Sequence, residues 1–299
     1  MMKMEIISMF PGEIGFLKIL EGIRSDFLNS LFGFITMLGE EAIIVILLAT
    51  IYFAVNKTLA KKVFFTSVTS MCFNGCVKNI AKVSRPFADN EITCVKPDTA
   101  TGYSFPSGHT QTFTTWSTTF AFHFKKWWLF LVASVLILLV GFSRMYLGAH
   151  FPSDVIFGII FGLIFAIGLS VLFDKINNKL ILYAVSAGIF IPFMIYFLVS
   201  ANSLYADFFK TFGMILGLVF VEWFETKYVQ FDTNVAVWKR IIRIVVGVLL
   251  ALGIKSLVKL TYQSITILPI VLILDTLRYF LLVVISFGIW PLVFKKLKL

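Results

Sequence analysis

The chain has 299 residues and a net charge of +10, and it is 59% hydrophobic but only 14% charged, whereas a soluble domain carries about 25% charged residues. That deficit excludes a soluble surface, and apolar runs such as 129–140 and 155–173 mark a polytopic membrane protein of the all-α class. In a soluble chain the positive charge would suggest nucleic acid, but here Lys and Arg sit in short loops in the pattern of the positive-inside rule, so no nucleic-acid partner is expected.

Residues 1–40 are interrupted by Glu13, Lys18, Glu21, Arg24 and Asp26. This predicts an interfacial amphipathic segment rather than a span, without the unbroken apolar stretch of a cleavable signal peptide. A first, short span is expected over 41–55, followed by Lys57, Lys61 and Lys62, and a second over 63–83 that ends at Arg85-Pro86, because proline disfavours helix at the residue before it. Residues 87–105 read as a polar loop containing Asp89, Asn90, Glu91 and Asp98. A third helix starts at Pro106 or Ser107 and ends near His123, a fourth covers 127–146, and a fifth opens at Pro152 and ends near Asp174. Further spans are expected over 179–199, 207–225, 244–260 and 265–294, with a polar segment holding Lys239, Arg240 and Arg243 before the eighth. The result is a transmembrane helical bundle of about nine spans. It divides into the interfacial segment 1–40, a six-helix core over 41–200 and additional helices over 201–299.

Cys72 and Cys76 lie on an apolar helix and Cys94 stands alone in a loop, with no zinc or disulfide spacing. The basic residues after spans one, three, five and seven and in the tail Lys295-Lys296-Leu297-Lys298 mark the cytoplasmic side. A multi-pass cell-membrane protein with a cytoplasmic C-terminus follows.

Three polar blocks interrupt the apolar sequence, and parity puts all of them on the opposite, extracytoplasmic face. The first runs from Lys78 to Arg85-Pro86. These cations are seven apart, two turns along one side of a helix. Arginine grips phosphate with a planar fork and lysine adds a point charge. Taken alone, the pair better describes cations snorkelling from a helix end. In the second block, Pro106-Ser107-Gly108-His109 opens a helix whose free N–H groups suit an anion, with Gly108 permitting close approach and His109 in the first turn. Taken alone, it equally describes an ordinary interfacial helix start. The third block holds Arg144, His150 and Asp154. Asp154 falls in the first turn of the helix opened by Pro152, from where its carboxylate can orient the His150 imidazole for attack on phosphorus. His109 is then the natural acid for the leaving oxygen. His123 lies at the other membrane face beside Lys125 and Lys126 and reads as an interfacial residue.

Taken jointly, Lys-x6-Arg-Pro, Pro-Ser-Gly-His and Ser-Arg-x5-His-x3-Asp resemble the three-part signature of the type 2 phosphatidic acid phosphatase superfamily, whose members include membrane lipid phosphatases and glucose-6-phosphatase. The match covers Lys78, Arg85, Pro86, Pro106, Ser107, Gly108, His109, Ser143, Arg144, His150 and Asp154, within roughly the first six spans. The resemblance implies a phosphatase that needs neither metal nor cofactor and works through a phosphohistidine on His150. It makes His109 the general acid, Asp154 the orienting carboxylate, and Lys78, Arg85, Ser107, Gly108 and Arg144 the phosphate ligands. The expected substrate is a lipid phosphomonoester or pyrophosphate of the undecaprenyl pyrophosphate, phosphatidate or phosphatidylglycerophosphate type, taken from the surrounding membrane lipids. The alternatives are a phosphotransferase built on the same phosphohistidine and a non-catalytic lipid-phosphate binding or transport protein. Binding alone requires neither His109 nor His150, which weighs against the latter. The last third of the chain shows no motif; Asp275 and Arg278 there, three apart, read as a structural pair.

Overall fold

Side-chain caps open a few of the helices: Ser25, Asn56 and Asn178 each accept from an amide of the first turn. A computed structural model describes residues 10–88, 90–297 and 299; residues 1–9 of the expected interfacial segment, Asp89 of the polar loop, and Lys298 with the side chain of Lys295 in the basic tail lie outside the described residues. Helices α1 (Glu13–Gly22) and α2 (Asp26–Ile35) come first, the latter capped by Ser25, whose Oγ accepts from the Leu28 amide at 3.3 Å. A tight turn over Thr36–Gly39 leads to α3 (Glu41–Thr50), which widens into a π turn at Ile51–Val55. Helix α4 (Lys57–Ala81) is capped by Asn56, and α5 (Gly108–Phe124) ends at Lys125 in the left-handed conformation, φ 53°. Helices α6 (Trp127–Tyr146), α7 (Pro152–Lys175) and α8 (Lys179–Ser200) follow. The last third holds α9 (Ala206–Phe224), α10 (Val237–Tyr262), α11 (Leu268–Val283) and α12 (Trp290–Leu297), with wide turns extending α9 to Val229 and α11 to Ile289.

Among the described residues, six helices are individually long and apolar enough to cross a membrane: α6, α7, α8, α10, and α9 and α11 with their extensions. A seventh arises if Asp26–Gly39 and Glu41–Val55, bent by 51°, count as one span. This is fewer than the nine expected from the sequence. Helices α4 and α5, of 25 and 17 residues, are not among these candidates and carry polar residues inward. Asn74 donates to Gln111 Oε1 at 2.8 Å, Gln111 donates to the Ser70 carbonyl at 2.9 Å, and Thr66 meets Thr119 at 3.0 Å. A polar seam between two helices satisfies its own hydrogen bonds and leaves the outer faces apolar. Mean hydropathy cannot distinguish that arrangement from a water-facing helix.

Two helix starts differ from expectation for one reason. Helix α4 begins six residues earlier than predicted and α10 seven earlier, so both take basic residues into their first turns. Lys57 pairs with Glu225 at 2.7 Å, Lys61 with Glu222 at 2.8 Å and Lys62 with Asp174 at 2.6 Å. Arg243 donates to the carbonyls of Asp232 and Leu299. These partners let charge remain on helix near a buried end. Glu222 and Glu225 thereby fasten α9 and its extension to α4. At that same end of α4 Lys57, Lys61 and Lys62 gather, opposite Lys78 at the other end of the helix.

Small residues bring α5 and α7 together. A Cβ on Gly158 would lie 2.9 Å from the Ser107 carbonyl, and one on Gly162 would lie 2.6 Å from Thr114 Cβ. The close approach lets the Ser107 amide donate to the Asp154 carbonyl at 2.9 Å, which joins the second polar block to the third.

Candidate active site

Helix α7 opens with Pro152 at its first position, so its early N–H groups need outside acceptors. Asp154 Oδ2 reaches back to the Phe151 amide at 2.9 Å, and Glu13 of α1 accepts from the Ser153 amide at 2.7 Å. The same Asp154 oxygen meets His150 Nδ1 at 3.1 Å and accepts from the Ser104 hydroxyl. A carboxylate oxygen only accepts, so Nδ1 carries the proton and Nε2 keeps its lone pair. That lone pair faces the Arg85 guanidinium, whose Nη1 donates to Nε2 at 3.2 Å. Burial first, and then the charges of Arg85, Lys78 and Arg144, hold His150 well below the ordinary imidazole range. His150 is therefore neutral and oriented, with a cation beside its Nε2.

Residues 101–104 are drawn into the site by the first block. Arg85 Nε donates to the Gly102 carbonyl at 3.0 Å, Nη2 donates to the Thr101 carbonyl, and Nη1 also donates to the Ala149 carbonyl at 2.9 Å. Burial lowers Arg85 to about 10, so it stays charged at neutral pH. Lys78 donates to the Tyr103 carbonyl and, at 3.4 Å, to that of Ser104. Gly148, at φ 74°, turns the chain between α6 and His150. A Cβ there would lie 2.5 Å from the Thr93 carbonyl, so the turn also requires the absence of a side chain.

A cavity of about 540 Å³ adjoins these groups, lined at one end by Lys78, Arg85, Gly108, His109 and His150. His109 Nε2 is buried with no hydrogen-bond partner among the described residues. Ser107, Arg144 and Asp154 stand behind the lining. Ser107 Oγ is engaged with Thr110 at 2.9 Å. Arg144 is fully buried; its Nη1 donates to the Thr36 and Thr99 hydroxyls at 3.0 Å and 3.1 Å and its Nη2 to the Thr99 carbonyl at 3.2 Å, leaving Nε without a partner among the described residues. The structure thus brings all eight predicted residues into one neighbourhood but gives five of them direct access to the cavity. Among the described residues, no three His, Cys, Asp or Glu side chains converge as a metal site.

Sequence reasoning missed four contributors. Ser104 lies two residues before Pro106, and its nearness to the second block is the only signal. Thr36 and Thr99 hold Arg144, and Glu13 caps α7; nothing local marks any of these three. The N-terminal segment therefore supports the site directly. Gly39 packs so closely that a Cβ there would lie 2.7 Å from the His109 carbonyl.

The fold and the site define a helical membrane protein that gathers two imidazoles, a buried carboxylate and three cations at or just behind one end of a cavity. A model of the PAP2 superfamily matches residues 59–178, and a model of the PAP2 superfamily phosphatase transmembrane extension matches residues 209–299. The undecaprenyl-diphosphatase BcrC of Bacillus subtilis is 30% identical over 162 residues, which is 52% of this chain and 79% of that protein. The undecaprenyl-diphosphatase of Sulfolobus acidocaldarius is 28% identical over 132 residues, 44% of this chain and 64% of that protein, just under two thirds of its length. The crystal structure of Aquifex aeolicus LpxE superposes with a TM-score of 0.49 at 23% identity, covering 55% of this chain and 98% of that one. The chain belongs to the PAP2 superfamily.

Proposed function

We propose that the protein is an integral membrane phosphatase that hydrolyses the terminal phosphate of a lipid phosphate, with a polyprenyl diphosphate as the favoured substrate class. The observation that carries this reading is His150, neutral and buried, fixed by Asp154 at 3.1 Å on one nitrogen and facing Arg85 at 3.2 Å on the other. The names of the two curated relatives support the polyprenyl diphosphate.

In the proposed reaction, phosphate oxygens take over N–H groups of Arg85 and Lys78, which frees His150 Nε2. Nε2 attacks phosphorus, the bond from phosphorus to the leaving oxygen breaks, and His109 protonates that oxygen. Asp154 stabilises the positive charge that develops on the imidazole. Water then attacks the phosphohistidine, His109 takes its proton, and inorganic phosphate leaves while His150 recovers its lone pair. Gly108 leaves room for the phosphate at the start of α5, and Ser107 and Arg144 hold the surrounding backbone and charge.

The proposed topology has nine spans. Helices α4 and α5 join the six apolar candidates as inward-facing polar spans, and Glu41–Val55, the second half of the bent pair, is the ninth; α4, with 25 residues, is about 37 Å long, enough to cross a hydrocarbon core of about 30 Å. The proposed division is an interfacial segment over 1–40, a phosphatase core over 41–200 and three added spans over 201–299. The clustering of basic residues opposite the site supports a cytoplasmic C-terminus and an extracytoplasmic active site. Phosphate release by the purified protein from undecaprenyl diphosphate, phosphatidate and phosphatidylglycerophosphate tests the reading. Rapid release from at least one is expected. Release from none of them would refute it.

A further inference from the structure

The cavity does not stop at the phosphate-sized end. On α4 its lining residues are Phe64, Ser67, Val68, Met71, Asn74, Gly75 and Lys78, a single stripe at helical spacing. Fourteen residues separate Lys78 from Phe64, so the cavity follows α4 for about 21 Å. The character of the wall changes along that path. Beside the candidate site it is charged or polar, with Glu41, Asp207, Lys210, Lys255 and Arg278 joining Lys78 and Arg85. Farther in, it is built from Val45, Leu48, Phe64, Met214, Leu282 and Phe287. A smaller pocket of about 20 Å³ shares Leu48, Phe64 and Phe287 and ends on Lys61 and Glu222, paired at 2.8 Å. That ion pair closes the inner end.

Three of the four walls of the inner arm lie outside the polar blocks: α3 contributes Val45 and Leu48, α9 contributes Met214, and α11 with its extension contributes Leu282 and Phe287. Among the polar residues of the outer arm, each cation from the last third already has a carboxylate. Lys210 pairs with Asp207 at 2.7 Å, Lys255 with Glu41 at 2.7 Å and Arg278 with Asp275 at 2.9 Å. These pairs leave little net charge to attract a second phosphate. The Asp275–Arg278 pair is the structural one expected from the sequence, and its arginine also lines the cavity. The outer arm thus serves as a neutral polar collar between a cationic pocket and an apolar slot.

A lipid phosphate has the same order of groups, and in a leaflet it points its head to the interface and its chain toward the bilayer centre. The cavity runs in that direction from His150. Resting on the phosphatase reading above, we infer that the inner arm between α3, α4, α9 and α11 is a hydrocarbon-chain slot, and that two of the last three spans, α9 and α11, exist in part to wall it. The slot holds the first part of the substrate's isoprenoid chain while the terminal phosphate sits against Arg85 and His150. An apolar pocket with a few convergent polar groups at one end is the usual form of an amphiphile site.

Val45 and Met214 both line the cavity as half-buried residues, so a larger side chain at either position reaches into it. The test compares kcat/KM for undecaprenyl diphosphate and isopentenyl diphosphate in full-length Val45→Trp and Met214→Trp. Removing or blocking one methylene-sized contact in an apolar pocket typically changes discrimination by about 10-fold or more. The ratio of long-chain to short-chain kcat/KM is expected to fall at least that far in each variant. An unchanged ratio, or equal loss on both substrates, overturns the slot. A second measurement stands apart from catalysis and from the folding of the variants. Undecaprenyl phosphate carrying a diazirine on its first isoprene units, incubated with the wild-type protein in nanodiscs and irradiated, is expected to label peptides of α3, α9 or α11. Labelling confined to the lipid-facing helices α6 and α8 contradicts the slot even if phosphate release succeeds. Labelling inside the slot with no phosphate release refutes the phosphatase reading and leaves the slot standing.

Discussion

Asp154→Asn separates the charge of the carboxylate from its shape. Asp154 Oδ2 serves the Phe151 amide at 2.9 Å, His150 Nδ1 at 3.1 Å and the Ser104 hydroxyl. An asparagine carbonyl at the same place can still accept these bonds, so the helix start and the His150 tautomer survive. The anion beside the imidazole is lost. In the proposed transition state the imidazole becomes cationic, with the charges about 4 Å apart and an effective dielectric of about 20, which makes the lost attraction about 4 kcal/mol. At 1.36 kcal/mol per decade that is about 10³-fold in the rate of phosphoenzyme formation. Rapid-quench measurement of acid-labile phosphate on the protein reads this rate directly. The thermal midpoint is a control, since a neutral acceptor in place of a charged one weakens each remaining bond by only about 1 kcal/mol. A rate within tenfold of wild type, in a variant of normal stability, would refute the electrostatic role given to Asp154.

His109→Ala should lose far more activity on a lipid phosphate than on nitrophenyl phosphate, because a nitrophenolate leaves without a proton; general acid catalysis is worth about 10²–10⁴-fold, and equal losses on the two substrates would assign the acid elsewhere. His150 is held below the usual range, so its reactive neutral form persists as pH falls, and the acid limb of kcat/KM should lie below about 6.5. Arg85→Gln removes a cation that lowers His150 and should move that limb upward while reducing the rate; a downward move contradicts the assignment. The phosphate neighbourhood is built from Lys78, Arg85 and Arg144 with one buried carboxylate, so activity is expected to survive a chelator; loss restored by magnesium alone would contradict this.

The candidate residues were legible because polar side chains are scarce in this chain and those in three short blocks had to be explained. The α6 and α7 boundaries were legible for a related reason: Lys125-Lys126 and Pro152 punctuate long apolar runs. What stayed hidden depends on pairing across long distances in sequence. Lys57 and Lys61 sit on a helix only because Glu225 and Glu222, more than 160 residues away, meet them there. Thr36 looked like part of an interfacial segment until the fold set its hydroxyl against Arg144. The polar residues of α4 and α5 resembled poor membrane helices because a local window cannot see that Asn74, Gln111 and Ser70 satisfy one another. The collar and slot combine residues from α3, α4, α9 and α11, and no short stretch of the sequence carries that pattern.

The central claim is that His150 carries the phosphate during turnover. Wild-type protein mixed with ³²P-labelled undecaprenyl diphosphate and quenched in base should hold an acid-labile, base-stable phosphate that maps to the peptide containing His150, and His150→Ala should hold none. Phosphate on His109, or label retained in His150→Ala, would contradict the account.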